Sequence, residues 1–239
     1  MNDIPLLITS AAYPSAPVVA ITDASERIKH TLEALRQWNR ISPDLHIVIC
    51  DGSGHDFTPE IDREPTLNAS RIELLSFHNN EELVRSQGKG YGEGEIINYA
   101  LANSRILRRY SHFAKCTAKL WVDNFAQCVA KYNQIISLDK IYYSSRSLAY
   151  SQCDTRFYLI RKDFYQEFFS NCHQHVDDCH EYYLEHAFAD VLKTHKIRSS
   201  DCACQPLVFG YSGSLGHFQQ TMPENWKRKI FRKVRRIFV

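Results

Sequence analysis

The chain has 239 residues, 44% of them hydrophobic, with 29 basic side chains against 27 acidic ones. That is enough to bury the core of one large α/β domain or two small ones. No proline-rich or glycine-serine linker, internal repeat or long apolar run is present, which argues for a single domain and against a solenoid or a membrane-spanning protein. The N-terminus lacks a basic start and its apolar stretch is short and interrupted, so a cytosolic chain is expected. Two of the eight cysteines, Cys50 and Cys116, sit in apolar runs, and reduced thiols are the expected state.

In chain order, Pro17–Thr22 reads as a first buried strand. From an N-cap at Ser25, Ile28, Leu32, Leu35 and Trp38 recur at helical spacing, leaving Arg27, Lys29, Glu33 and Arg36 for solvent. Pro43 closes the helix, and His46-Ile47-Val48-Ile49-Cys50 forms a second strand that runs into Asp51-Gly52-Ser53-Gly54. Strand, helix and strand in about 30 residues make a βαβ crossover with parallel strands. Ligands of open α/β sheets bind beyond the carboxyl ends of such strands, where Thr22-Asp23 and Asp51-Gly52-Ser53 would face a nucleotide. The alternative for Asp51 is a strand ending in a solvated turn.

Arg71–Phe77 alternates like a half-buried strand and ends at His78-Asn79-Asn80. The next segment, Gln87-Gly88-Lys89-Gly90-Tyr91-Gly92-Glu93-Gly94-Glu95, reads as a glycine-rich turn before a helix marked by Ile97, Ala100, Leu101, Ser104 and Leu107. Such a turn allows close approach of a phosphate, although no Gly-Lys-Ser/Thr ends it as in a P-loop. Glu93 and Glu95 would repel a phosphate, so one of them orients a sugar hydroxyl or caps the helix. The alternative is a purely structural glycine turn. Phe113–Phe125 is strand-like, interleaves Lys115 and Lys119, and ends on Asp123-Asn124. A divalent metal on a diphosphate needs two carboxylates, and here the second is missing, so Lys115 or Lys119 would neutralise the diphosphate directly. Two solvated lysines on a strand are the other reading.

This order of elements, with Asp51-Gly52-Ser53, the glycine-rich turn into a helix with Asn98, and Asp123-Asn124, resembles the nucleotide-binding half of GT-A glycosyltransferases over residues 17–165. Gly90-Tyr91-Gly92-Glu93 followed by Phe113-Ala114-Lys115-Cys116-Thr117-Ala118-Lys119-Leu120 is similar to the "GE … K-(I/L)-T-G-R/K" pattern of bacterial enzymes that assemble surface polysaccharides. The resemblance implies a Rossmann-type mixed α/β sheet flanked by helices. It also implies a donor site at Thr22, Asp51, Gly52, Gly92, Glu93, Lys115, Lys119, Asp123 and Asn124. Asp51 would contact the base or ribose, and Asp123 would stand at the Asp-x-Asp that holds Mg or Mn. Three departures are visible. Ala118 replaces a glycine, Asp123-Asn124-Phe125 is not Asp-x-Asp, and Ile21-Thr22-Asp23-Ala24 replaces the early Pro-x-Tyr-Asn pattern.

Further on, Asp154–Lys162 reads as a strand, and Phe164, Phe168 and Phe169 mark a short helix. Cys172-His173-Gln174-His175-Val176-Asp177-Asp178-Cys179-His180 and Cys202-Ala203-Cys204 contain zinc-ligand residue types without a paired C-x2-C spacing, and read as polar surface loop. A helix opens at Glu181 and continues to about Lys193. By the resemblance, an acid near the start of this helix is the catalytic base, and Glu185 and Glu181 are the candidates, one turn apart. Either could equally sit there for the helix dipole.

Residues 226–239 carry seven basic side chains and no acidic one, so the remainder of the chain is net negative. Lys227, Arg228, Lys229, Arg232, Lys233, Arg235 and Arg236, with Trp226 and Phe231, form an amphipathic pattern in which Trp226, Ile230, Val234, Ile237 and Phe238 share one face. This suits an anionic membrane surface better than nucleic acid, since no nucleic-acid module accompanies the charge. The organisation expected is one GT-A-like domain over 1–225 and a membrane-association tail over 226–239. The expected function is transfer of a sugar from a nucleotide-sugar donor to a lipid-linked acceptor or a growing lipopolysaccharide, O-antigen or capsule glycan. It would be peripheral on the inner face of the cytoplasmic membrane. The alternative is a non-catalytic, membrane-associated module that binds nucleotide or glycan.

Overall fold

The computed structural model describes residues 4–135, 142–144, 152–197, 199–201 and 204–221. At its centre lies β1 (Leu6–Ser10), buried along its whole length. After it come α1 (Ala24–Ile41), β2 (Ile47–Asp51), α2 (Thr58–Asp62), β3 (Ile72–Ser76), α3 (Glu81–Gln87), α4 (Lys89–Asn103), α5 (Arg105–Arg108), β4 (His112–Thr117) and β5 (Leu120–Val122). The chain continues through α6 (Phe125–Ile135), β6 (Tyr142–Ser144), β7 (Phe157–Arg161), α7 (Lys162–Phe168), α8 (Leu184–Thr194), β8 (Ser199–Asp201), β9 (Val208–Tyr211) and β10 (Phe218–Gln220).

The main sheet has the order β3-β2-β1-β4-β7-β6-β8. Its first four strands are parallel, and β7 joins β4 antiparallel. A small antiparallel sheet, β10-β9-β5, stands beside it. Successive side chains of β1 feed opposite cores, as a doubly covered strand requires. Leu6 and Ile8 pack with Trp38, Phe125 and Phe157, and Leu7 with Val48, Ile97 and Phe188. This is the mixed α/β sheet flanked by helices that the sequence led us to expect.

Several local expectations are corrected. The first strand is Leu6–Ser10, and Pro17–Thr22 belongs to the β1–α1 loop, with Val18 69% exposed. The run Leu6-Leu7-Ile8 takes the centre because it pairs on both edges, whereas prolines at 14 and 17 interrupt any ladder in the later stretch. The parallel βαβ unit itself stands, with Leu6 opposite Ile47 and Ser10 opposite Asp51. Asp23, not Ser25, is the N-cap of α1: its Oδ1 accepts from the Glu26 amide at 2.9 Å, and the Ser25 hydroxyl donates to the same oxygen at 2.5 Å.

The glycine-rich segment is no turn. Gly90, Gly92 and Gly94 lie within α4, and only Gly88, at φ 110°, stands outside it as the N-cap. These glycines let α4 approach its neighbours closely, since a β-carbon on Gly94 would lie 2.2 Å from the His173 Cβ and one on Gly92 2.8 Å from Asn79 Nδ2. The strand-like stretch 113–125 is two strands in different sheets, folded at Ala118-Lys119. The late helix begins at Leu184, so Glu181 is outside it, exposed and left-handed at φ 55°. Glu181 and Glu185 therefore do not share a helix face.

Cys50 and Cys116 are buried free thiols, pushed up to about 12 by burial. Cys172 and His173 are buried in a 3-10 turn against α4, and among the described residues no cluster of His, Cys, Asp or Glu could hold a metal. Nor is any described helix long and apolar enough to cross a membrane. Cys202 and the basic stretch 226–239 lie outside the described residues.

Candidate active site

The strand order places the site. In β3-β2-β1-β4 the chain winds one way from β1 to β3 and returns on the other side to β4, so a crevice opens beyond the carboxyl ends of β1 and β4. A hollow of about 130 Å³ lies there, floored by Thr9 and Ser10 from β1 and by Thr117 from β4. Arg27 of α1 and Asn79, Lys89 and Glu93 line its sides, with Lys119 beyond the end of β4 and Gly213 and Ser214 of the β9–β10 turn above. A second hollow, of about 270 Å³, adjoins it and shares Pro14 and Ser15; its other walls are Tyr13, Thr22, Gly52, Ser53, His78 and Glu81. Together they offer the elongated, partly polar setting of a small-molecule site.

The expected donor residues divide sharply. Asp51 is fully buried and spends its carboxylate on the chain itself: Oδ2 accepts from the Ala12 amide at 2.9 Å, and Oδ1 from the Ser53 amide (2.8 Å) and hydroxyl (2.5 Å). It ties the β1 and β2 loops together and shapes the crevice. Gly52 is close-packed, since a β-carbon there would meet Asn79 at 2.6 Å, and it contributes backbone to the second hollow. Thr22 is exposed at the rim of that hollow.

Lys115 and Glu93 form a buried ion pair. The Lys115 side chain is 0% exposed, and its Nζ donates to Glu93, to Thr117 Oγ1 at 2.8 Å and to the Thr155 carbonyl at 2.8 Å. Every ammonium proton is used, so Lys115 organises the crevice floor and is not the cation that meets a ligand. Neither lysine is the solvated strand residue of the alternative reading.

Lys119 is the reverse case. It is 4% exposed, and among the described residues it has no ion pair or side-chain hydrogen bond. Arg27 is its neighbour: a β-carbon on Gly213 would lie 3.2 Å from Arg27 Nη1 and 3.4 Å from Lys119 Nζ. Burial, together with the Arg27 charge, pushes the Lys119 ammonium down to about 7, against the opposing pull of Asp51 and Glu93. Lys119 also holds a left-handed backbone at φ 72°, a conformation that costs a side-chain-bearing residue roughly 1 kcal/mol or more.

Asp123 and Asn124 are not brought to the crevice. They follow β5 in the small sheet, where Asp123 is half exposed and pairs with Arg40 at 3.3 Å. Asn124 bonds the Gln205 carbonyl and the Leu207 amide, both at 2.8 Å. The residues that leave the end of β4 toward the crevice, Ala118 and Lys119, carry no carboxylate. With Asp51 saturated and Glu93 paired, this donor set does not fit a divalent cation.

Of the two candidate bases, Glu185 reaches the network. In the first turn of α8, its Oε1 accepts from the Thr155 hydroxyl at 2.7 Å, and the Thr155 carbonyl is the one held by Lys115. Burial raises the Glu185 carboxyl, the Thr155 hydrogen bond opposes this, Glu93 raises it further and Lys89 lowers it. A carboxylate shifted upward suits proton abstraction near neutrality. Among the described residues, Glu181 makes no side-chain hydrogen bond or ion pair with this network.

Thr9, Arg27, Lys89 and Tyr13 are among the crevice residues that the sequence does not point to. Arg27 falls on the polar face of the helical pattern, but the first turn of α1 lies under the β1–α1 loop. There the guanidinium donates to the Ala11 carbonyl (2.7 Å) and the Ile21 carbonyl (2.9 Å). Lys89 donates from Nζ to the Ser214 hydroxyl at 2.8 Å. Tyr13, 54% exposed and edge-on to His55, occupies the loop after the true first strand. With the first strand at Leu6–Ser10, Tyr13 stands three residues past its carboxyl end.

No protein-family model matches the sequence, and no curated protein does. Among solved structures, the chain is similar to a protein of Desulfovibrio desulfuricans G20 assigned as a nucleotide-diphospho-sugar transferase, at 12% identity and a TM-score of 0.49, covering 83% of this chain and 79% of that one. It is also similar to a mannosyltransferase of Pyrobaculum calidifontis solved with GDP-Man and Mn2+, at 10% identity and a TM-score of 0.46 over 82% of this chain and 53% of that one. A third likeness is the mannosyltransferase Ktr4p of S. cerevisiae, at 9% identity and a TM-score of 0.43 over 77% of this chain and 62% of that one.

Proposed function

We propose that the protein is a glycosyltransferase that takes a sugar from a nucleoside-diphosphate donor. The carrying observation is the two-part crevice at the switch point of the parallel sheet, with an exposed tyrosine in one hollow and a buried cationic wall in the other. Tyr13, with Gly52 and Ser53, would receive the nucleoside, an aromatic face being a natural platform for a base. The diphosphate would lie along Thr9, Arg27 and Lys119. Glu185 would take the proton from an acceptor hydroxyl as its oxygen bonds to the anomeric carbon and the bond from that carbon to the diphosphate oxygen breaks, releasing the nucleoside diphosphate.

The finer identity draws on the resemblance of Gly92-Glu93 and Lys115–Lys119 to enzymes of bacterial surface polysaccharide assembly and on the basic stretch 226–239. They support a lipid-linked or growing lipopolysaccharide, O-antigen or capsule acceptor, reached from the inner face of the cytoplasmic membrane.

The test uses the full chain with a panel of UDP-, GDP- and CMP-sugars, scored by release of free nucleotide and by thermal shift. One donor class should raise the melting temperature and be hydrolysed slowly. Replacing Glu185 by Gln should reduce turnover by about a hundredfold or more while nucleotide binding persists. Glu181→Gln should leave turnover within twofold. No shift with any nucleotide, or full turnover in E185Q, would refute the assignment.

A further inference from the structure

The cationic wall of the crevice has a feature that folding alone does not explain. A lysine that is 4% exposed, unpaired among the described residues and adjacent to a buried arginine is destabilising in three ways at once. Its charge is desolvated, it faces a like charge, and its backbone sits at φ 72°. Thr9 Oγ1, on the floor of the same hollow, is buried without a hydrogen-bond partner. Arg27 cannot relieve the conflict, because Ala11 and Ile21 hold it in place. Buried charges persist in proteins where a partner of opposite sign arrives.

Resting on the nucleotide-sugar reading above, we infer that Lys119, backed by Arg27 and with Thr9 as a neutral donor, binds the donor's diphosphate in the place where a divalent metal would otherwise act, so that this site works without one. The tip of the β9–β10 turn completes it. Gly213 accepts from the Ala20 and Ile21 amides at 3.0 and 3.2 Å, and its lack of a side chain leaves room for the two cationic heads beneath. The carboxylates around the crevice are committed, Asp51 to the loop amides, Glu93 to Lys115 and Glu81, in the wall of the second hollow, to Arg85. Arg27 from α1, Asp51 from β2 and Glu93 from α4 are the charged groups that bear on Lys119. A bound dianion outweighs Arg27 and returns the proton to Lys119, so binding takes up a proton above neutral pH.

The experiment measures binding of UDP, GDP, CMP and inorganic pyrophosphate by calorimetry and thermal shift, in EDTA and with added Mn2+ or Mg2+, using the wild type, Lys119→Met and Lys119→Arg. In EDTA the wild type should bind one nucleoside diphosphate, with the metal changing affinity less than twofold. Affinity should fall about tenfold per pH unit above pH 7. K119M should melt several degrees higher than the wild type, because the desolvated charge beside Arg27 is gone, and should lose at least tenfold in affinity. K119R should retain most of it. A requirement for metal, or equal affinity in K119M, overturns the inference even if the protein proves to be a glycosyltransferase. Pyrophosphate binding that depends on Lys119, with no nucleotide binding, upholds the anion site and refutes the donor assignment instead. Absence of binding by any of these probes overturns both.

Discussion

The ion pair beneath the crevice can be tested by a double-mutant cycle on Lys115 and Glu93. Lys115 is wholly enclosed, and its three donors end on Glu93, Thr117 Oγ1 and the Thr155 carbonyl. Glu93 keeps a 19% exposed side chain that faces the crevice. The two single substitutions are therefore unequal. Glu93→Gln leaves a full charge in the interior with only neutral acceptors, which places it at the lower end of the cost of breaking a buried pair, about 3 kcal/mol. Lys115→Met removes the charge and lets Glu93 turn toward water, leaving two acceptors unpaired at a cost of about 1–3 kcal/mol. With both changes neither charge is stranded, so the double variant should be less destabilised than the sum by about 2 kcal/mol. For a domain of this size, E93Q should melt roughly 6–12 °C below the wild type. Urea and thermal unfolding of the four proteins give the coupling directly. Additivity within about 0.5 kcal/mol would show that the two residues do not act as a buried pair and would refute the reasoning.

Two further predictions concern the scaffold. Burial alone would raise the Glu73 carboxyl, but the Ser104 hydroxyl, the amides of Ile106 and Arg105 and the Arg105 guanidinium together hold it below the usual carboxylate range. Its contribution is thus complete above the unfolded value and is lost as pH falls through the lowered folded one. Glu73→Gln should therefore flatten the loss of melting temperature below about pH 4.5, and an unchanged acid limb would contradict this. Gly94→Ala improves helix propensity by roughly 1 kcal/mol, yet its methyl would meet His173 Cβ at 2.2 Å. Overpacking of about 1–3 kcal/mol should win, and a variant that melts higher than the wild type would show that the 3-10 turn around His173 yields freely.

Much of the fold was legible locally. The strand into Asp51, the alternating strand before His78, the amphipathic α1 and the strand before Asp163 all follow from apolar periodicity and turn residues, which depend on neighbours a few positions away. The first strand was not legible, because two apolar runs precede α1 and only pairing on both edges chooses between them. The glycines around Gly92 carried a misleading signal. Alternating glycine suits a loop, but here it serves close helix packing, and the atoms that demand it belong to Asn79, Val176, Leu184 and His173 elsewhere in the chain.

Composition and local pattern alone determined an α/β architecture, parallel strands around a crevice, and a set of charged residues near its edge. Which of those charges are spent and which are available was decided only by the tertiary structure. Lys115 and Lys119 look equivalent in sequence, four residues apart among apolar neighbours. The fold seals one against Glu93, 22 positions earlier, and turns the other past the end of β4 beside Arg27. The difference arises because desolvation and Coulomb interaction act through space, so a side chain's charge is set by what the folded chain brings within a few ångströms of it.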